Sequence, residues 1–210
     1  MPDNSLARIK TWLATHAPRI LHESLNPGAS EAALASLEAV VGKPLPDDFK
    51  SLYRYFDGMD DAAEHTGSFF YGMRFLPLEE VKKSVEHRKP APLAPLQKSG
   101  PDVGQANQLS PDWLTVGNDG AHTWLCVDLI PAESGRYGQV IFVDEEHETA
   151  FCVANSVAAL LHDFTDDLEQ GRYELDLDGL DEEDQFLLPD AAIDVVNWWQ
   201  ATRWQSAITL

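Results

Sequence analysis

Hydrophobic residues recur at helical spacing in several stretches of the chain. Leu6, Ile9 and Leu13 predict a helix over 5–16. Leu34, Leu37, Val40 and Val41 predict a second, with Ser30 as its N-cap and Gly42 at its end. Over 46–57, Phe49, Leu52, Tyr53 and Phe56 fall at i, i+3, i+4 and i+7 and form one apolar face. Pro46 suits the first turn of that helix, Asp47 and Asp48 sit at the positive end of its dipole, and Gly58 is placed to end it. The run from Leu76 to Val81 opens a further helix that reaches about Arg88. Val157, Leu160, Leu161, Phe164 and Leu168 mark another, capped by Asn155-Ser156 and ending at Gly171. Pro189 and Asp190 open a predicted final helix that carries Trp198, Trp199 and Trp204.

Between the helical stretches the pattern changes to strands. Residues 68–75 are rich in aromatics and read as a strand interrupted at Gly72. Residues 113–116, 123–129, 139–143 and 151–154 read as four more, with Gly117-Asn118-Asp119-Gly120 as a turn and a loop containing Pro131 and Gly135. Short links between successive strands favour an antiparallel meander. Residues 89–110 hold four prolines and little periodicity, so they predict a long loop or insertion. Helices, then strands, then helices argue for an α+β fold with a central, mostly antiparallel sheet, as one domain over 1–210.

Composition narrows the function. The chain has 210 residues, is 44% hydrophobic and includes six Trp and nine Phe, enough for a real core despite the charge. Thirty-five acids against fifteen bases give a net charge of −20, which disfavours nucleic acid and anionic membrane surfaces and favours a basic protein partner. No apolar run approaches the ~18 residues of a membrane span. The first residues lack the basic-then-apolar order of a signal peptide, so a cytoplasmic location is expected. Cys126 and Cys152 lie among strand-like apolar residues and read as reduced core thiols.

Three blocks resemble the SUKH superfamily. They are Leu45-Pro46-Asp47-Asp48-Phe49 through Leu52-Tyr53 to Asp57-Gly58; Met73-Arg74-Phe75-Leu76-Pro77-Leu78-Glu79-Glu80-Val81; and Trp113-Leu114 to Gly117-Asn118-Asp119-Gly120. The third continues into Leu125-Cys126-Val127-Asp128-Leu129 and Gly135 to Val140. With Ala154-Asn155-Ser156 and 167–171, the resemblance covers about 26–173. It leaves 89–110 and the acidic segment and helix over 174–210 without a counterpart. The resemblance implies a protein-binding domain without catalytic residues. Its bacterial members are similar to immunity proteins that neutralise toxins, and its fungal members to regulatory scaffolds in cell-wall assembly and signalling. The charge points to the first, with a basic toxin domain as partner; the scaffold is the alternative.

Candidate chemistry adds little. The seven histidines include no i, i+4 pair, and neither a Cys-x-x-Cys, a Gly-x-Ser-x-Gly nor a phosphate-binding glycine loop occurs. Asp119 reads as a turn residue. Asp128, among apolar neighbours, reads as buried and bonded to N–H groups of the 131–138 loop. No catalytic, cofactor or metal site is expected. The candidate partner-binding residues are two acidic runs, Asp144, Glu145, Glu146 and Glu148, and Asp181, Glu182, Glu183 and Asp184.

Overall fold

The computed structural model describes residues 4–88, 96–104, 110–181 and 183–208. Its helices are α1 (Ser5–His16), α2 (Glu31–Val41), α3 (Asp47–Tyr55), α4 (Leu78–His87), α5 (Val157–Glu169) and the short α6 (Leu177–Asp181). Its strands are β1 (Leu25–Pro27), β2 (Phe56–Met59), β3 (Arg74–Phe75), β4 (Lys98–Ser99), β5 (Trp113–Asn118), β6 (Thr123–Asp128), β7 (Gln139–Asp144), β8 (Thr149–Ala154), β9 (Tyr173–Leu175) and β10 (Leu187–Pro189). A six-stranded sheet in the order β3-β5-β6-β7-β8-β4 forms the centre. It is antiparallel except where β4 runs parallel to β8. The fold is α+β.

Alternation along the strands divides the core. Leu125, Val127, Val140, Phe142, Phe151 and Val153 join the large cluster that includes the inner faces of the helices. Their neighbours Cys126, Ile141, Val143 and Ala150 pack on the opposite face with Trp113 and Val103. That second face is covered in part by 96–104, within the stretch read as a loop or insertion. Val103 is buried there, and Gly100 donates to the Ala150 carbonyl at 2.8 Å.

Local chemistry explains the helix ends. The Ser30 hydroxyl accepts from the Ala33 N–H at 3.2 Å, and Gly42 closes α2 at φ +70°. Asp48 serves two helices: it accepts from Phe49 at the start of α3 and from Ala158 at the start of α5, where Ser156 is the N-cap.

Three expectations are corrected. The α3 helix stops at Tyr55, and Phe56 continues the apolar face in extended conformation as part of β2, paired with β1. Gly58, at φ +69°, lies inside β2 and ends no helix. Instead, Asp57 Oδ1 accepts from Leu78 N–H at 2.7 Å and caps α4.

The 68–75 stretch is not a strand throughout. Phe70–Gly72 form a tight 3₁₀ turn, with Tyr71 at φ 54°, before the two-residue β3. Phe69, Phe70 and Tyr71 are all buried, and the turn is closed by Gly72 N–H to the Phe69 carbonyl at 3.2 Å and Met73 N–H to the Phe70 carbonyl at 2.9 Å.

The final helix is absent. Pro189 is in β10, and 191–207 form successive turns. Carboxylates of Asp190 and Asp194 accept from Ala192, Val196 and Asn197 N–H groups, giving the backbone local partners that compete with a helical ladder. Arg203 N–H returns to the Ala192 carbonyl and Trp204 Nε1–H to the Ile193 carbonyl, closing the segment on itself. A buried Asp167 carboxylate on α5 then receives both terminal nitrogens of Arg203 at 2.5 and 2.7 Å.

Candidate protein interface

The register of the sheet brings the β5–β6 turn and the β7–β8 turn to one end, since Thr123 pairs with Asp144. In the first turn, Asp119 Oδ1 accepts from Ala121 and Thr123 N–H groups at 2.9 and 3.0 Å, which fixes it as a turn residue. The two turns touch: Glu145 N–H donates to the His122 carbonyl at 2.9 Å.

In the second turn, the first of the candidate acids differs from the rest. Asp144 is buried. Its Oδ1 accepts from His147 N–H at 2.9 Å, and its Oδ2 lies 2.9 Å from His147 Nδ1 and accepts from Trp198 Nε1–H at 3.0 Å. Asp144 therefore anchors the C-terminal segment to the sheet. Glu145, Glu146 and Glu148 are exposed around the turn. Trp199, next to the anchored Trp198, rests on the His147 ring with centroids 5.0 Å apart and remains 46% exposed.

Beyond Asp119 the surface opens into a cleft of about 460 Å³. Met59, Phe186 and the backbone of Gly67 and Gly72 contribute to its lining, and Asp60 and Asp119 bring carboxylates to it. Arg74, also in the lining, is already committed: Glu80 receives its terminal nitrogens at 3.0 and 2.6 Å, and Asp61 pairs with Nε. The cleft is thus acidic.

The second candidate run borders the same cleft. Asp184 Oδ1 accepts from Thr66 N–H at 2.6 Å, and Gln185 bridges to Gly67. Glu183 pairs with Arg19 at 2.9 Å and lies 3.7 Å from His65 Nε2. The arginine holds its carboxyl below the usual range. Asp181 is exposed at the end of α6, and Glu182 lies outside the described residues. Together these contacts form one acidic margin that passes from Asp181, Glu183 and Asp184, through the cleft, to the exposed Glu145, Glu146 and Glu148. The charges were legible in the sequence. Their adjacency depends on the Thr123–Asp144 register and on the Thr66–Asp184 contact, and neither leaves a local signal.

Asp128 is a structural group. It is fully buried, and Oδ1 accepts from Ile130 N–H at 2.8 Å while Oδ2 accepts from Gln139 Nε2–H at 3.0 Å. The donors are residues flanking the 131–138 loop. Burial pushes its carboxyl above the usual range, against the pull of those donors. Cys126 and Cys152 are free thiols, pushed up to about 11 by burial, with Ile141 of β7 between them in register. Among the described residues no group of three His, Cys, Asp or Glu is placed to hold a metal ion, and no helix is long and apolar enough to cross a membrane.

Against known families, residues 28–163 match the model of the SMI1 / KNR4 family (SUKH-1). The chain belongs to this family. The match takes in α2 through most of α5, and therefore the sheet and the turns at its acidic end. Among relatives of the SUKH-1 chain, the cell wall assembly regulator SMI1 of Saccharomyces cerevisiae is 22% identical, with 88% of this chain and 43% of that protein covered. The cell wall biosynthesis/cell cycle regulator smi1 of Schizosaccharomyces pombe is 28% identical over 72% of this chain and 33% of its own length. A glucan synthesis regulatory protein of Neurospora crassa is 25% identical over 83% and 40% respectively. The chain spans less than half the length of these relatives.

Proposed function

We propose that this SUKH-1 chain is a non-enzymatic protein-binding module that acts in regulating cell-wall assembly and docks a basic partner on its acidic margin. The observation that carries the regulatory part is the family match together with relatives named as regulators of cell-wall or glucan synthesis. The docking part is supported by the net charge of −20 and by the gathering of separate acidic segments around one cleft. Binding suffices for such a role, because a scaffold works by holding partners in register. The two free thiols suit a reducing, cytoplasmic setting.

Masking of a basic toxin domain is the second reading, favoured by the charge alone. Deleting the gene in its native cell separates the two. Hypersensitivity to wall-perturbing agents, reversed by the intact chain, is the expected result. Normal wall resistance with lost protection against a basic toxin would overturn the regulatory reading in favour of immunity.

A further inference from the structure

Tryptophan is over-represented among the residues that dominate protein interfaces, most of all where it is rigidly held and close to groups that complement a partner. Trp199 is such a residue, and its position is set by the structure around it. Trp198 is half-buried, edge-on to Phe151 at 5.9 Å, and bonded through Nε1–H to the buried Asp144 carboxylate. His147 is bonded to the same carboxylate and packs on both Trp198 and Trp199, with ring centroids 6.2 and 5.0 Å apart. One buried acid thus fixes both neighbours of the exposed indole. The turn that carries His147 also carries exposed Glu145, Glu146 and Glu148. The patch therefore pairs a rigid aromatic face with three carboxylates. Arg203 lies over the Trp204 ring, 5.7 Å from its centroid, and is held by Asp167, so it does not serve Trp199.

We propose that Trp199 and the 145–148 turn form the arginine-reading part of the interface: a basic segment of the partner lays an arginine guanidinium against the Trp199 indole while Glu145, Glu146 and Glu148 pair with its charge. This rests on the reading of the acidic margin as a docking surface and adds the side chain that is recognised. Arginine suits the patch better than lysine because its planar, weakly hydrated guanidinium both stacks on an indole and forks to a carboxylate. Both neighbours of the indole are already held in the free protein by the Asp144 carboxylate.

The test uses the full chain and two fluorescent peptides of equal length and charge, nonaarginine and nonalysine, titrated by anisotropy at low and high salt. The expected result is that nonaarginine binds about two-fold more tightly than nonalysine, and at most about five-fold, the value of one whole exposed cation–π contact, because lysine makes a weaker version of the same contact. Trp199→Ala should erase that preference, while Trp199→Phe keeps part of it and controls for folding. Glu145→Gln/Glu146→Gln/Glu148→Gln should weaken both peptides together and flatten the salt dependence. Equal binding of the two peptides, or an arginine preference that survives Trp199→Ala, would overturn the inference and leave the acidic docking surface standing. No binding of either peptide at low salt would overturn both.

Discussion

Trp204→Ala probes whether the segment beyond the family match is part of the same core. The indole is only 6% exposed. It packs edge-on to Tyr71 at 5.7 Å and against Phe151 at 6.0 Å, so it touches both the 3₁₀ turn and β8. A buried Trp removes about 200 Å² from water, worth about 5 kcal/mol at ~25 cal/mol per Å². Alanine keeps a small share of that, and measured Trp-to-Ala changes in cores cost about 3–5 kcal/mol. Loss of the Nε1–H bond leaves the buried Ile193 carbonyl without its partner, adding about 1 kcal/mol. The expected loss is therefore about 4–6 kcal/mol, a large part of the ~5–15 kcal/mol of a typical domain. For a chain of this size that lowers Tm by roughly 8–24 °C. Calorimetry and urea unfolding followed by circular dichroism measure it, with Trp199→Ala as the comparison, expected to cost under about 1 kcal/mol. A single cooperative transition is expected, in keeping with one domain over the whole chain. A Trp204→Ala cost below about 1 kcal/mol, or two transitions with the tail melting first, would refute the reasoning.

Two further outcomes follow from particular residues. Gly58→Ala should cost about 3 kcal/mol or more, because a Cβ there would sit 2.2 Å from the Pro77 nitrogen at φ +69°; Gly42→Ala, at φ +70° with nothing within 4 Å, should cost only about 1 kcal/mol by urea denaturation. Asp163→Asn should raise Tm at neutral pH. Burial first, then the carboxylates of Asp167 and Asp166, push the Asp163 carboxyl above its ordinary value, against the pull of Arg203 and His162. A raised folded pKa means that the ionised group penalises the native state above that pKa. The native state recovers this as it takes up a proton before the unfolded chain does, so the advantage of asparagine should shrink as pH falls towards the ordinary carboxyl range. An advantage that is constant or grows in acid would contradict the sign.

Much of this fold is written in local patterns, and its departures have local causes too. Helices α2 and α5 are legible because their ends are set by their own caps, Ser30 and Gly42, and Ser156. Phe56 obeys the helical period and yet is extended, because a buried ring at that position serves a strand as well as a helix. The preference is decided by β1 pairing and by Asp57 reaching across to Leu78. The 191–207 segment shows the opposite balance. It buries Ile193, Val195, Ala201 and Trp204 without a helix, because Asp190 and Asp194 satisfy nearby N–H groups and Arg203 is drawn to Asp167, 36 residues away. The acidic margin follows the same logic. Each carboxylate is visible in the sequence, but their surroundings diverge only when burial is known: Asp144, the first of its run, is an anchor that positions aromatic residues, while Glu145, Glu146 and Glu148 stay exposed at the turn. Long-range pairing sorts acids with structural bonds from acids left at the surface, and composition carries no trace of that pairing.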